Sequence, residues 1–167
     1  MGFRILLVGL GNRGRMWSSI VEQVEGVELS GVVEVNPATL AVFGVEHPDV
    51  PRFTDLAEAL AGTASDAVLL VTPPDGHLAQ AQQVVAAGLP LLAEKPLTLD
   101  LAEAVQIVDL AAQAQLPLMV GLNFRYLPVS QKMRELVTSA ALGAPGFGQF
   151  TYPVSYTHLT LPTSDLV

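Results

Sequence analysis

No cysteine occurs among the 167 residues, so disulfides and thiolate metal sites are excluded. Basic residues are scarce: eight Lys and Arg stand against sixteen Asp and Glu, a net charge of −8. That balance, with no basic stripe, argues against a nucleic-acid surface. The three histidines, His47, His77 and His158, are scattered and suggest no metal site. No apolar run is long enough to span a membrane. The short apolar start leads into glycines rather than into a signal-peptide cleavage site. A cytoplasmic protein is therefore the default expectation. What the chain does have is apolar mass. Half of it is hydrophobic and 14% is charged, which suits one well-cored domain and a fragment of another.

The informative stretch is Phe3 to Gly14, FRILLVGLGNRG. Ile5–Val8 is a short apolar run of the kind buried on both faces of a sheet. Gly9, Gly11 and Gly14 follow as G-x-G-x-x-G. In that context Gly9 allows a tight turn and Gly11 lets a phosphate approach the backbone. Gly14 lets a helix pack closely on the strand. Asn12 and Arg13 lie inside the loop. Arg13 reads equally as a phosphate contact and as a surface arginine.

Downstream, apolar runs alternate with helical patterns. Strands are expected at Val27–Glu34, Val50–Phe53, Asp66–Thr72, Leu89–Glu94 and Leu118–Phe124. Pro51 demotes the second of these to an edge. Helices are expected over Arg15–Val24, Ala38–Phe43, Thr54–Ala61 with Thr54 as cap, Asp75–Ala87 and Pro128–Ala141. Another begins at the capping box Asp100–Glu103. The first helix has an apolar face of Met16, Trp17, Ile20, Val21 and Val24. The Asp100 helix has a stripe of Leu101, Ala104, Val105, Val108, Ala111 and Ala112. Strands alternating with helices imply right-handed parallel βαβ units. The expected fold is α/β, a doubly wound Rossmann sheet of six parallel strands.

Ligands bind such sheets at the carboxyl ends of the strands. Glu34 ends the second strand, 23 residues after Gly11, where a carboxylate accepts hydrogen bonds from the adenosine ribose. It would repel a 2′-phosphate, so NAD is favoured over NADP. Thr72 and Pro73 follow the fourth strand and belong near the nicotinamide half of the cofactor. His77 comes one helical turn later; a lone histidine at a helix start is more often structural than functional. Glu94, Lys95 and Pro96 end the fifth strand. Lys95 there can donate to a substrate oxygen during hydride transfer, with Glu94 orienting or tuning it; the plain alternative is a surface ion pair beside a proline. Asn123 and Arg125 end the sixth strand and read equally as ligand contacts and as loop caps.

These elements occur together in one order. They are Gly9-Leu10-Gly11-Asn12-Arg13-Gly14, Glu34 before Asn36-Pro37, Thr72-Pro73-Pro74 with His77, Glu94-Lys95-Pro96, and Gly121 to Tyr126. Over residues 3–150 the chain resembles the N-terminal half of the Gfo/Idh/MocA oxidoreductases, the glucose–fructose oxidoreductase and inositol dehydrogenase group. The resemblance implies a nicotinamide-dependent dehydrogenase acting on a sugar, cyclitol or related polyol. It implies a catalytic role for Lys95 and a cis Lys95–Pro96 bond. It also implies a second α/β domain whose open sheet covers the site and joins subunits of a homo-oligomer. That domain carries an Asp and a His one helical turn apart. No such pair follows Arg125 here, so these residues alone are expected to be inactive although the parent is an enzyme. Two other functions fit the same residues: a non-catalytic dinucleotide-binding sensor or partner protein, and a Rossmann enzyme of different chemistry, such as an amine-linked or biliverdin-type reductase.

The end of the chain departs from the plan. Val154–Thr163, VSYTHLTLPT, follows neither a helical nor a strand pattern and matches one reading frame of a transposon-end sequencing adapter. The expectation is a Rossmann domain over 1–127, a linking helix and the start of a truncated domain over 128–153, and a non-native tail over 154–167. His158 then carries no functional weight.

Overall fold

A computed structural model describes residues 2–141, 143–149 and 151; the suspected tail and His158 lie outside them. The chain divides into two compact units, the first running through Leu122 and the second beginning at Asn123.

The first unit alternates strands and helices: β1 (Phe3–Val8), α1 (Asn12–Gln23), β2 (Val27–Val33), α2 (Pro37–Glu46), β3 (Arg52–Phe53), α3 (Leu56–Gly62), β4 (Ala67–Leu70), α4 (His77–Ala86), β5 (Leu91–Ala93), α5 (Leu101–Gln113) and β6 (Leu118–Val120). All five strand pairings are parallel, in the order β3-β2-β1-β4-β5-β6. This is the expected doubly wound sheet, with the order reversing beside β1. The alternating faces of β1 explain its unbroken apolar run. Leu6 and Val8 join a core with Val68, Leu70, Leu91 and Ala93 and with α3, α4 and α5. Leu7 turns the other way, onto Leu40 and Phe43 of α2, with Trp17 of α1 against the same cluster.

Several expected details are corrected. α1 begins inside the glycine loop, and its buried face is Gly14, Ser18 and Val21. Met16, Ile20 and Val24 are well exposed, while Trp17 and Val21 of the expected face turn inward. α3 is capped by Asp55, whose carboxylate accepts the Glu58 N–H at 2.9 Å, not by Thr54. Pro74–Gly76 form a 3-10 turn, and α4 starts only at His77. α5 buries Ile107 and Ala111, while Leu101, Val105 and Val108 face outward. Its cap is as expected: Asp100 accepts from the Glu103 N–H at 3.1 Å.

In the second unit a 3-10 turn, Asn123–Tyr126, leads to α6 (Pro128–Thr138). Gln131 donates to the Tyr126 carbonyl at 3.1 Å and holds the turn to the helix. No helix among the described residues is long and apolar enough to cross a membrane. Among them there is no cluster of three His, Asp or Glu that can hold a metal.

Candidate functional site

The three loop glycines have three different physical reasons. Gly9 has φ +98°, a conformation L side chains rarely adopt, and its backbone lies against Val71. A Cβ on Gly14 would collide with the Gly9 carbonyl oxygen, so the close approach of α1 to the loop requires glycine. At Gly11 a Cβ would meet nothing within 4 Å: that face is open. Gly11 is also the N-cap of α1, with no side-chain cap and no acidic residue in the first turn. The first N–H groups of the helix and its positive end are therefore left for an anion.

Glu34 faces this loop. Its Oε2 accepts the Leu10 N–H at 2.8 Å and its Oε1 accepts the Asn36 N–H at 2.9 Å. The carboxylate is thus held in place before any ligand arrives, tied to the loop that would carry the phosphates. A cleft of about 570 Å³ opens between these elements. Gly9, Gly11, Asn12, Arg13, Glu34, Thr72 and Pro73 all line it, as the strand-end argument requires. A dinucleotide fits what is there: an open glycine, an uncapped helix start and a fixed carboxylate on one cleft.

Sequence reasoning missed four polar lining residues, Thr54, Asp55, Gln80 and Gln83. Asp55 carried a usable signal, since Asp three residues before Glu58 is a capping pattern. Gln80 is held by the Thr72 hydroxyl, which donates to its Oε1 at 2.6 Å. That contact joins a strand end to the next helix and has no signature in the sequence.

Around Lys95 the expectation is partly corrected. Glu94 does not sit at the surface but is 5% exposed. Its Oε1 accepts from Arg13 at 2.6 Å and from the Trp17 indole at 2.8 Å, and its Oε2 from the Lys95 N–H at 3.1 Å. Burial alone pushes this carboxyl upward. The Trp17, Arg13 and Lys95 donors together with the Arg13 charge outweigh burial and hold it below the usual carboxylate range. Glu94 therefore acts on its neighbour's backbone and anchors the end of β5 to α1. Arg13, only half-exposed, is already engaged in that ion pair. Lys95 itself is exposed, and its bond to Pro96 is cis.

His77 takes the structural one of its two readings and does not line the cleft as a cofactor contact. It is 1% exposed, with both ring nitrogens against carbonyl oxygens, and so is turned into the protein rather than toward the cleft. Asn123 and Arg125 do not end a strand. β6 stops at Val120, and both residues lie exposed on the 3-10 turn of the second unit.

Comparison with known proteins supplies an independent finding. The sequence profile of the Gfo/Idh/MocA family, described as an oxidoreductase family with an NAD-binding Rossmann fold, matches residues 3–122. Inositol 2-dehydrogenase of Corynebacterium glutamicum is 32% identical over 143 residues, covering 83% of this chain and 42% of the relative. The Leifsonia xyli subsp. xyli inositol 2-dehydrogenase is 33% identical, with 97% and 50% covered. Among solved structures, scyllo-inositol dehydrogenase of Lactobacillus casei with bound NAD(H) and scyllo-inositol superposes with a TM-score of 0.80 at 26% identity. It covers 86% of this chain and 43% of that one. The chain spans about half, or less, of the length of these relatives.

Proposed function

The chain belongs to the Gfo/Idh/MocA oxidoreductases, and from that premise we propose that it is the NAD-binding half of a dehydrogenase acting on a sugar, cyclitol or related polyol. The observation that carries the proposal is the single cleft shared by the open Gly11, the uncapped start of α1 and the fixed Glu34 carboxylate. The glycine loop would hold the pyrophosphate on backbone N–H groups. Glu34 would accept the ribose hydroxyls, and its negative charge supports NAD over NADP. Nicotinamide, when bound, supplies or accepts the hydride. Lys95 would handle the proton, taking it from the substrate hydroxyl as the alcohol is oxidised and returning it in the reverse direction. The inositol relatives support a polyol substrate.

The test is Lys95→Ala in the full-length enzyme. Loss of the proton-transfer group should lower kcat by about 10²- to 10⁴-fold, while the dissociation constant for NAD stays within about threefold, no more than the low end of one hydrogen bond's contribution. Equal losses in both would make Lys95 a cofactor ligand instead.

A further inference from the structure

The segment that carries Lys95 has no regular structure of its own. Between β5 and α5, residues Glu94 to Asp100 make neither helix nor strand, so the contacts of the residues flanking Lys95 set where it lies, among them the Glu94 N–H on the Leu70 carbonyl and Leu97 against the core. Before Lys95 the side-chain tie is Glu94, held by α1. After Lys95 it is His77. His77 Nδ1 lies 2.8 Å from the Leu97 carbonyl oxygen, two residues past Lys95, and Nε2 lies 3.0 Å from the Thr72 carbonyl oxygen at the end of β4. The ring is fully enclosed and starts α4, so its own position is fixed by the helix. One buried imidazole thus spans the strand-end segment on the cleft and the segment bearing the proposed proton donor.

We infer that His77 is a positioning residue for Lys95, its Nδ1–H donated to the Leu97 carbonyl oxygen and holding the Lys95-bearing segment to the start of α4. The inference rests on the role proposed for Lys95. Burial alone would be served by any well-packed ring. Positioning needs a donor aimed at Leu97, and the side-chain amides separate the two requirements. Asparagine places its N–H₂ near the Nδ1 position and so retains the Leu97 contact. Glutamine reaches the Nε2 position and retains only the Thr72 contact.

The chain contains two lysines, Lys95 and Lys132, and the second unit's Lys132 serves as an internal reference. Wild type, His77→Asn, His77→Gln and His77→Phe would be labelled with an amine reagent with and without NAD, and modification at the two lysines read by mass spectrometry. In the wild type and the Asn variant, NAD should slow labelling of Lys95 about fivefold or more relative to Lys132. In the Gln and Phe variants the protection should fall below about twofold while NAD affinity changes no more than about threefold, the scale of one lost hydrogen bond. Protection retained in the Gln variant as well as in the Asn variant would overturn the inference, as would protection lost only in step with affinity. Absence of protection in the wild type would strike the Lys95 reading instead. His77 is then judged by amide hydrogen exchange over Lys95–Thr98 in the free protein. Exchange in the Gln variant about fivefold faster than in the Asn variant supports the tie, and equal exchange overturns it.

Discussion

Glu34 and Glu94 are both strand-end glutamates, and their surroundings give them different duties. Glu34 is partly exposed on the cleft and bonded to two backbone N–H groups, so it can exchange or share those bonds with ribose hydroxyls. Glu34→Ala should weaken NAD binding about tenfold to a hundredfold, the scale of hydrogen bonds to a charged group. It should also narrow the preference for NAD over NADP. Fluorescence titration with both cofactors measures this, and an unchanged preference would remove Glu34 from the ribose. Glu94 is buried and fully engaged by Arg13, Trp17 and the Lys95 N–H, so its charge belongs to the fold. Its carboxyl is held below the usual range, so its stabilising contribution is complete above the unfolded value near pH 4.3 and is lost as pH falls through the lower folded value. Glu94→Gln should cost about 1–3 kcal/mol at neutral pH, and the gap should close as the pH drops below about 4. Urea unfolding of both proteins across pH 3–7 reads the difference; a gap that widens toward acid would contradict this account.

At the scale of elements, α1 and α5 show how an apolar pattern can be legible in kind and only partly right about which residues face the core. Both sequences are helical in period, and both helices form. The face turned inward is chosen by the surface beneath. On α1 Trp17 and Val21 of the expected face turn inward, joined by Gly14 and Ser18 where the helix lies close to the glycine loop, and Met16 and Ile20 stay exposed. On α5 Ala111 of the expected stripe is buried beside Ile107, while its larger members Leu101, Val105 and Val108 stay exposed. Ile107→Ala should therefore cost about 2–5 kcal/mol, while Val105→Ser at an exposed position should stay within about 0.5 kcal/mol. Chemical denaturation of the two variants tests the assignment, and comparable losses would reverse it.

For the whole molecule, the switch in strand order beside β1 gathers the ends of β1, β2 and β4 around one cleft. Binding there should stabilise the first unit as a body. NAD at about a hundred times its dissociation constant should add about 2.7 kcal/mol, a rise in melting temperature of roughly 5–10 °C for a domain of this size. A thermal scan of the 167-residue chain with and without NAD measures it. No rise would count against the dinucleotide reading, independently of any question of turnover.

The parallel α/β class, the glycine loop, Glu34 and the Lys95 strand end were all legible along the chain, because they rest on local rules. An apolar run of period two or none makes a buried strand, glycine spacing makes the turn, and ligands gather where parallel strands end. Tertiary structure alone settled which helix faces are buried, that Glu94 is held by Arg13 and Trp17, that Gln80 meets Thr72, and that His77 turns inward to join Thr72 and Leu97. The Glu94 contacts and the His77–Leu97 contact unite residues from different βα units, and Gln80 meets Thr72 across the turn within one. A side chain's duty there is set by which neighbour the packed sheet brings within about 3 Å of it, and local spacing carries no record of that neighbour.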